Sequence, residues 1–310
     1  MAPRNTDFGV QMAFRVDIDF IGLGHAGAAY GGYLRAWSFF EIEGRTWFEA
    51  FRADALSALG KRYLPIYRMA DGEYRFLMGR RFNRARHPIW KELASIAAER
   101  LWINHPDRWR TSWGEGYSPK ETRRLRGELI EHIRYLALHG YLACYINDNA
   151  MHAFTEYNTL LPAFLRRQGV SFNAKSYVPF HFAPSLFISP GWEDFIRGRK
   201  ILVVTGLNPE KEQRIRETLG RMSATAVEML PISSTSSMME RLDISAVARQ
   251  PDVCLVAAGI GAANILRQLE PLSTLAVDIG GLMNCFADCN ARQHGGVIGL
   301  PSNPGLCRAL

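Results

Sequence analysis

The second half of the chain constrains the fold most, because apolar strands and amphipathic helices alternate there at regular spacing. The pattern predicts strands at 200–205, 225–230, 252–258 and 274–278, with helices between them at 208–219, 236–248 and 261–269. Strands that alternate with helices in this way form a parallel sheet covered by helices. The sequence therefore predicts an α/β, Rossmann-like fold, with a mostly parallel sheet, helices on both faces and an N-terminal extension.

A short apolar run at 63–69 predicts another buried strand, and an acidic pair follows it. If the chain stays extended beyond the strand, the carboxylates of Asp71 and Glu73 point the same way, because side chains alternate along a strand. Gly72 between them lets the backbone approach a ligand closely. Paired carboxylates suit Mg²⁺ or Mn²⁺, which typically completes its shell with substrate phosphates. The alternative is a polar turn in which Asp71 caps a helix that begins near Tyr74.

Arginines surround this acidic pair. Arg68 and Arg75 flank it closely enough to contact a phosphate. A denser basic run at 80–86 follows, and the 310-residue chain carries a formal net charge of +7. A basic chain calls for an anionic partner, which can be nucleic acid, a lipid surface or a phosphorylated small molecule. The basic run adjoins the acidic pair, and this position favours a phosphate-bearing substrate over nucleic acid.

Two further carboxylates follow predicted strands. Asp148 comes after a strand at 141–146, where it is a candidate ligand or base, or alternatively the cap of a helix at 150–167. Asp278 ends the last predicted strand. Ligands of doubly wound sheets bind at the carboxyl ends of the strands. Asp71, Asp148 and Asp278 are therefore predicted to converge on one rim.

A glycine turn joins the strand at 252–258 to the helix after it. Gly259 and Gly261 precede Ala262 in this turn. Free backbone N–H groups at such a helix start can donate hydrogen bonds to a phosphate or to a nucleobase carbonyl. Tight packing of the strand against the helix is the alternative explanation for the two glycines.

Local patterns place the other elements of the first half. Thr46 is predicted to cap a helix that runs to residue 59, and Pro88 to start a helix that runs to residue 101. The residues at 118–121 form a capping box with proline at the first helical position, and they predict a long helix.

A glycine-rich segment near the N-terminus offers a rival site. Gly22-Leu-Gly24-His-Ala-Gly27 satisfies the G-x-G-x-x-G pattern of dinucleotide binding and follows a predicted strand at 14–21. The residues after it do not continue as a regular crossover helix, and the acidic candidates Glu41 and Glu43 belong to a predicted hairpin. An NAD(P)-dependent oxidoreductase is therefore one alternative function. A non-catalytic nucleotide or nucleic-acid binding protein is the other, because it would account for the net charge.

The early and late segments together resemble the GT-D-type glycosyltransferases, which are bacterial enzymes with a Rossmann-like sheet. Residues 66–73 are similar to the family's Arg-x-Gly-Asp-Gly-Glu stretch, and residues 252–262 with 275–280 are similar to its Leu-Gly-Pro-Thr-Ala and Asp-Ile-Gly-His stretches. Ala70 departs from the first pattern, and Gly281 stands where the family has His. The resemblance spans roughly residues 46 to 286.

This resemblance implies a metal-dependent glycosyltransferase with a nucleotide-sugar donor, a UDP-hexose being the expected one. It implies that Asp71 and Glu73 bind Mn²⁺ or Mg²⁺ at the donor diphosphate and that residues 259–262 form a donor-site turn. Asp278 becomes an active-site carboxylate, and either it or Asp148 would orient or deprotonate the acceptor hydroxyl. The acceptor would be a glycan, a glycopeptide or a small molecule.

The same reasoning divides the chain into an N-terminal accessory segment at 1–45, a glycosyltransferase domain at 46–290 and a C-terminal coil at 291–310. The five cysteines include no C-x-x-C pair, which favours a reducing, cytoplasmic compartment. The chain has no run of eighteen apolar residues, so no transmembrane segment is expected.

Overall fold

The computed structural model of the chain describes residues 14–18, 20, 36–78, 89–90, 93–94, 97, 117–145 and 161–288. The strands are β1 (Phe14–Val16), β2 (Ala36–Ser38), β3 (Leu64–Met69), β4 (Tyr141–Cys144), β5 (Tyr177–Pro179), β6 (Lys200–Thr205), β7 (Ala226–Pro231), β8 (Val253–Ala257) and β9 (Leu275–Asp278). The helices are α1 (Gly44–Ala58), α2 (Asp71–Met78), α3 (Pro119–His139), α4 (Leu161–Arg167), α5 (Phe182–Ser185), α6 (Glu193–Ile196), α7 (Pro209–Arg221), α8 (Ala262–Gln268) and α9 (Leu282–Ala287).

Seven of these strands form one sheet in the order β5-β4-β3-β9-β8-β6-β7, and every neighbouring pair is parallel. The central strands are buried along their length, as expected for a parallel sheet that helices cover. This arrangement confirms the predicted α/β, Rossmann-like fold. β3 and β9 are the first and the last strand of this sheet in sequence, and they are neighbours in space, so their carboxyl ends lie side by side.

The crossover direction reverses between β6 and β8. The chain moves from β6 through α7 to β7 at one edge, whereas it moves from β8 through α8 to β9 in the opposite direction. Because both crossovers are expected to be right-handed, α7 and α8 lie on opposite faces of the sheet. In agreement with this, α8 packs on α3, and α7 packs on α9. The carboxyl ends of β6 and β8 therefore flank a crevice of the kind in which α/β sheets bind ligands.

Two of the helix starts predicted in the first half have different outcomes. The capping box before α3 is confirmed, because the Glu121 N–H donates to Ser118 Oγ at 3.2 Å and the Ser118 N–H donates to the Glu121 carboxylate at 2.9 Å. The prediction that Thr46 caps α1 is wrong. Glu43 is the cap, and its carboxylate accepts hydrogen bonds from the backbone N–H groups of Arg45 and Thr46. Threonine is a common helix cap, but here the carboxylate of Glu43, three residues earlier, accepts these hydrogen bonds and supplies the negative charge that a helix start favours.

The predicted extension of β3 through the acidic pair is wrong. The strand ends at Met69, and α2 begins at Asp71. The Ala70 N–H donates to the Glu73 carboxylate at 2.9 Å, so the third helical residue reaches back to cap the residue before the helix. This hydrogen bond satisfies one of the backbone N–H groups that the start of a helix leaves without an intrahelical partner.

The predicted helix at 236–248 is also wrong, because short 3₁₀ turns at Ser237–Met239 and Ile244–Ala246 replace it. Ser233 Oγ accepts hydrogen bonds from the N–H groups of Thr235 and Ser236, and Asp243 Oδ1 accepts one from Ser245. Serine and aspartate side chains compete with helical hydrogen bonding in this way.

The described parts of the N-terminal residues pack on the main sheet. β1 and β2 pair antiparallel, and β2 contacts β5. The Phe39 ring lies 6.0 Å from that of Tyr177, measured between centroids. The Gly22–Gly27 pattern, Asp148 and the tail from residue 291 lie outside the described residues. Within the described part of the chain, no helix is long and apolar enough to cross a bilayer.

Candidate active site

A cavity of about 270 Å³ opens at the carboxyl ends of the central strands. It extends from the ends of β3 and β9 to the crevice between β6 and β8 and the loop after β7. The residues that line it are Arg68, Ala70, Gly72, Glu73, Phe180, Thr205, Gly206, Leu207, Ile232, Ser233, Ser234, Ser237, Ala257, Ala258, Gly259, Asp278, Gly280, Gly281, Met283 and Asn284. Of the three carboxylates that the sequence predicts at this rim, Asp278 lines the cavity, whereas Asp148 and the Asp71 side chain lie outside the described residues.

Arg68 and Asp278 form the charged end of this cavity. Arg68 lies near the end of β3 and Asp278 ends β9, and both residues are buried although 210 positions separate them in sequence. The Arg68 backbone N–H donates to Asp278 Oδ2 at 3.3 Å, and Arg68 Nε lies 3.9 Å from Asp278 Oδ1. The Gly280 N–H donates to the same Oδ1 atom at 3.0 Å. Asp278 is thus fixed by two backbone groups and serves as the counterion of Arg68.

Burial acts on both members of this pair. It raises the pKa of the Asp278 carboxyl to about 6, although the charge of Arg68 and the hydrogen bonds from Arg68 and Gly280 oppose the rise. Burial also lowers the pKa of the Arg68 guanidinium, although the negative charges of Asp278 and Glu73 act in the opposite direction and raise it. Arginine nevertheless stays protonated in proteins. The charged end of the cavity therefore carries a permanent cation beside a carboxyl whose pKa is raised to about 6.

The Arg68 guanidinium has unused hydrogen-bonding capacity. Its Nε and Nη1 atoms are buried, and neither has a hydrogen-bond acceptor among the described residues. The group stacks over Phe180, with Cζ 4.7 Å from the ring centroid. On another side it contacts Gly280, where an added Cβ would overlap Nη2. Buried donors usually have partners, so these N–H groups are available to a ligand that carries acceptor oxygens.

Glu73 and Gly72 enter the cavity wall from the first turn of α2. Glu73 is buried, and its hydrogen bond to the Ala70 N–H directs its carboxylate to the start of the helix. The side chains of Asp71 and Arg75 lie outside the described part of the structure, and so does Asp148. Their predicted roles therefore stay predictions from the sequence.

The glycine turn after β8 contributes one of its three predicted residues to the cavity. Gly259 lines the cavity and has φ +53°, a backbone conformation that favours glycine. Gly261 is not part of the wall but packs so closely on Ser237 that an added Cβ would overlap it. Ala262 is buried and begins α8. Gly261 therefore allows close packing on the 3₁₀ turn at Ser237, which differs from the predicted packing of the strand against the helix, whereas Gly259 lines the cavity.

The ends of β6 and β7 form the far wall of the cavity, which the sequence did not predict. Gly206 and Ser234 meet there, since a Cβ added at Gly206 would lie 2.9 Å from the Ser234 Cα. Leu207 and Ile232 add apolar surface to this wall. The run of serine and threonine at 233–237, directly after a predicted strand, could have indicated this wall. The prediction of a helix at 236–248 assigned part of that run to the helix instead.

Phe180 and His181 were also missed, because β5 before them has only three residues. Burial and, to a smaller extent, the charge of Arg68 lower the pKa of His181 to about 4. The imidazole is therefore neutral at physiological pH. Its Nε2 atom is buried and has no hydrogen-bond partner within the described ranges.

The described side chains do not by themselves form a metal site. No group of three histidine, cysteine, aspartate or glutamate residues that could hold a metal ion occurs among them. The oxygens of Asp278 accept two backbone hydrogen bonds and face Arg68, and Glu73 accepts the hydrogen bond from Ala70. Glu73 and Asp278 are thus already engaged, and the predicted Mn²⁺ or Mg²⁺ site depends on Asp71.

Comparison with known proteins gives a family match and one structural likeness. The family described as a GT-D fold-like domain matches residues 122–286, which is just over half of the chain. A solved structure titled as the selenomethionine-substituted form of domain of unknown function 1792 is 16% identical, with a TM-score of 0.41, and the alignment covers 76% of this chain and 82% of that one. No curated protein matches the sequence.

The family match runs from α3 to α9 and includes Gly259 and Asp278. The early stretch with Arg68 and Glu73 precedes the matched range, and the fold brings it to the same cavity. The chain therefore belongs to the GT-D-like family, a family of glycosyltransferases with a Rossmann-like fold.

Proposed function

We propose that this protein transfers a sugar from a nucleotide-sugar donor, with a UDP-hexose as the expected donor, and that the donor binds in the cavity at the carboxyl edge of the sheet. Membership of the GT-D-like family supports the reaction class. The observation that carries the proposal is the buried Arg68 guanidinium, whose Nε and Nη1 groups have no acceptor within the described chain and whose side chain lines the cavity.

The two ends of the cavity differ in a way that suits the two parts of such a donor. The crevice between β6 and β8 is flanked by Leu207 and Ile232, with Ser233 and Ser234 beside them. An aromatic base with polar edges fits an apolar slot that carries a few hydroxyl groups. The charged end with Arg68 suits the diphosphate. We therefore place the nucleoside at the β6/β8 crevice and the diphosphate towards β3 and β9.

Arg68 would act mainly on the leaving group. Negative charge grows on the nucleoside diphosphate as its bond to the sugar breaks. A guanidinium that is already fixed by Asp278, Phe180 and Gly280 can stabilise this charge without reorganising. Hydrogen bonds between arginine and phosphate are charge-assisted and are stronger in a dry site than in water.

Asp278 has two possible roles in this scheme. Its ion pair with the Arg68 guanidinium, with Nε 3.9 Å from Oδ1, supports a positioning role, and hydrogen bonds from the Arg68 and Gly280 backbone N–H groups hold the carboxylate itself in place. It also lines the cavity, which supports contact with the acceptor hydroxyl. Orientation or deprotonation of that hydroxyl by Asp278 or Asp148 belongs to the proposal. The Mn²⁺ or Mg²⁺ ion at Asp71 and Glu73 belongs to it as well.

The test is an assay of nucleoside diphosphate release from a panel of UDP-, GDP- and dTDP-sugars, with and without added acceptor sugars. Wild type should release one nucleotide selectively. The Arg68→Lys variant should lose about 10- to 100-fold in kcat/KM, because lysine keeps the charge but not the planar donor pair. Arg214→Lys is the matched control, since Arg214 is an exposed arginine on α7 that pairs with Glu210.

Three outcomes of this assay decide between parts of the proposal. Absence of release and of binding across the whole panel contradicts the transferase activity. Equal activity of Arg68→Lys and wild type contradicts the role of Arg68. Repeating the assay in EDTA, Mg²⁺ and Mn²⁺ tests the metal separately, and activity that is unchanged by EDTA would reject the metal site while leaving the Arg68 site intact.

A further inference from the structure

Asn284 is a polar residue of the cavity wall to which the scheme above gives no role. It lies in the first turn of α9, and it is half-buried. Its backbone is held in the helix, because the Asn284 N–H donates to the Gly281 carbonyl at 3.1 Å and the Asp288 N–H donates to the Asn284 carbonyl at 2.9 Å. Its side-chain amide forms no hydrogen bond with any described residue. A ligand can therefore use both the donor and the acceptor of this amide.

Most polar side chains of the cavity wall already interact within the chain. They are Glu73, Thr205, Ser233, Ser237 and Asp278. Within the described wall, free hydrogen-bonding groups belong to the side chains of Arg68, Asn284 and Ser234. Binding sites typically present a few such polar groups, and these groups fix the orientation of the ligand.

The three free groups follow one another along the cavity. Arg68 lies at the charged end, and Ser234 is exposed on the far wall. Asn284 lies between them for two reasons. It comes four residues after Gly280, which contacts the Arg68 guanidinium. Its helix α9 also packs on α7, which begins just after the loop that follows β6. A nucleotide-sugar donor likewise presents a diphosphate, a ribose and a base in this order.

The chemistry of an amide suits the ribose better than the diphosphate. Asn284 Nδ2 can donate hydrogen bonds and Oδ1 can accept them, whereas a hydroxyl group does both. Phosphate oxygens only accept, so they would leave Oδ1 without a partner. Two neighbouring hydroxyl groups, as in the 2′,3′-diol of a ribose, can engage both ends of the amide.

We propose that Asn284 determines specificity by binding the ribose hydroxyl groups of the donor, so that the protein selects ribonucleotide sugars over deoxyribonucleotide sugars. This inference rests on the proposed function, which places the diphosphate at Arg68. A site that hydrogen-bonds a substrate hydroxyl discriminates against an analogue without it, because the protein group then loses its partner. The helical hydrogen bonds of Asn284 fix its backbone before the donor arrives.

The experiment is isothermal titration of UDP and GDP, each compared with its 2′,3′-dideoxy form, into the full chain. Asn284→Ala removes the amide, and Asn284→Leu removes its hydrogen-bonding groups while keeping a side chain of similar shape. Ser234→Ala is the matched control, because it removes the free group of the far wall. Asn284 is half-buried and Ser234 is exposed, so the variants should fold, and circular dichroism with thermal unfolding checks this.

We expect wild type to bind its preferred ribonucleotide at least about tenfold more tightly than the dideoxy form, as two lost hydrogen bonds imply. In both Asn284 variants this ratio should fall to about twofold or less. In Ser234→Ala the two forms should weaken together, and the ratio should stay as in wild type.

Three results overturn the role of Asn284 while leaving the proposed function intact. The first is equal binding of the two forms by wild type, and the second is an unchanged ratio in either Asn284 variant. The third is an equal loss of affinity for both forms in Asn284→Ala, which would assign the amide to the base or to the phosphates. Absence of binding of all the nucleotides contradicts the proposed function, and this inference with it.

Discussion

Gly280→Ala should weaken donor binding because Gly280 leaves room for the Arg68 guanidinium. Gly280 has φ +43°, and a Cβ there would overlap Nη2 of Arg68 and lie 3.0 Å from its Cζ. The guanidinium sits between Gly280 and Phe180 and has to move. Loss of charge-assisted hydrogen bonds to the diphosphate costs about 1.5–3 kcal/mol. This corresponds to a rise of about 10- to 150-fold in the Kd of the donor.

The same substitution also strains the backbone, so a control for strain is needed. Gly198 has φ +72°, and a Cβ there would meet no atom within 4 Å. Gly198→Ala should therefore carry the same cost of about 1–2 kcal/mol in the free energy of unfolding, but no change in Kd. Isothermal titration with the preferred nucleotide sugar and urea unfolding measure the two effects. A folded Gly280→Ala protein that binds the donor like wild type refutes the assigned position of Arg68, and so does an equal loss of affinity in Gly198→Ala.

Three further predictions follow from the same end of the sheet. Burial raises the pKa of Asp278 to about 6, so the folded chain binds up to one proton more than the unfolded chain between about pH 4 and 6. The free energy of unfolding should therefore fall by about 3 kcal/mol as the pH rises from about 4 to about 6. Urea unfolding of Asp278→Asn should lack this pH dependence. Glu73→Ala should lower the free energy of unfolding by about 1 kcal/mol in thermal unfolding, because the Ala70 N–H loses its acceptor. Glu73→Gln should keep most of the wild-type stability, because its amide oxygen can still accept this hydrogen bond. Equal stability of wild type and both variants would contradict the capping role of Glu73. The buried Tyr74 hydroxyl contacts two backbone carbonyls at the ends of β3 and β4, so Tyr74→Phe should lose about 1–2 kcal/mol in urea unfolding and keep the donor Kd; a changed Kd would speak against a purely structural role.

The architecture was predictable because the strands of the second half are short apolar runs bounded by polar residues. Predicted strands at 200–205, 252–258 and 274–278 match β6, β8 and β9 to within a residue. Such runs are typical of parallel strands that are buried on both faces. The carboxylate at Asp278 could be placed at the carboxyl edge for the same reason. What the sequence did not reveal was the order of the strands, which makes β3 and β9 neighbours.

The wrong predictions of secondary structure concern residues whose side chains form hydrogen bonds to the nearby backbone. The Glu73 carboxylate accepts a hydrogen bond from the Ala70 N–H at the start of the next helix, although its spacing from Asp71 suggested an extended acidic pair. Ser233 and Asp243 bind nearby N–H groups and prevent the helix predicted at 236–248. These hydrogen bonds compete with regular structure on nearly equal terms, so residue pattern alone does not determine the outcome.

The composition of the site was only half predictable for a different reason. Arg68 and Asp278 could be identified because each adjoins a strong strand and carries a charge. Phe180, Gly206 and Ser234 come from short strands and loops, and only the fold brings them together. Arg68 and Asp278 lie 210 positions apart in sequence, so their contact is visible only in the fold. The same holds for the lack of acceptors for Arg68 Nε and Nη1 among the described residues. The strongest evidence for an anion site is therefore three-dimensional.

The most direct test of the Arg68 site is isothermal titration of a panel of nucleotide sugars into wild type and Arg68→Lys, once in EDTA and once in Mn²⁺. We expect one nucleotide sugar to bind wild type with a single site per chain, and to bind Arg68→Lys at least about tenfold more weakly. Equal affinities of the two proteins, or absence of binding to wild type in both buffers, would contradict a donor diphosphate at Arg68.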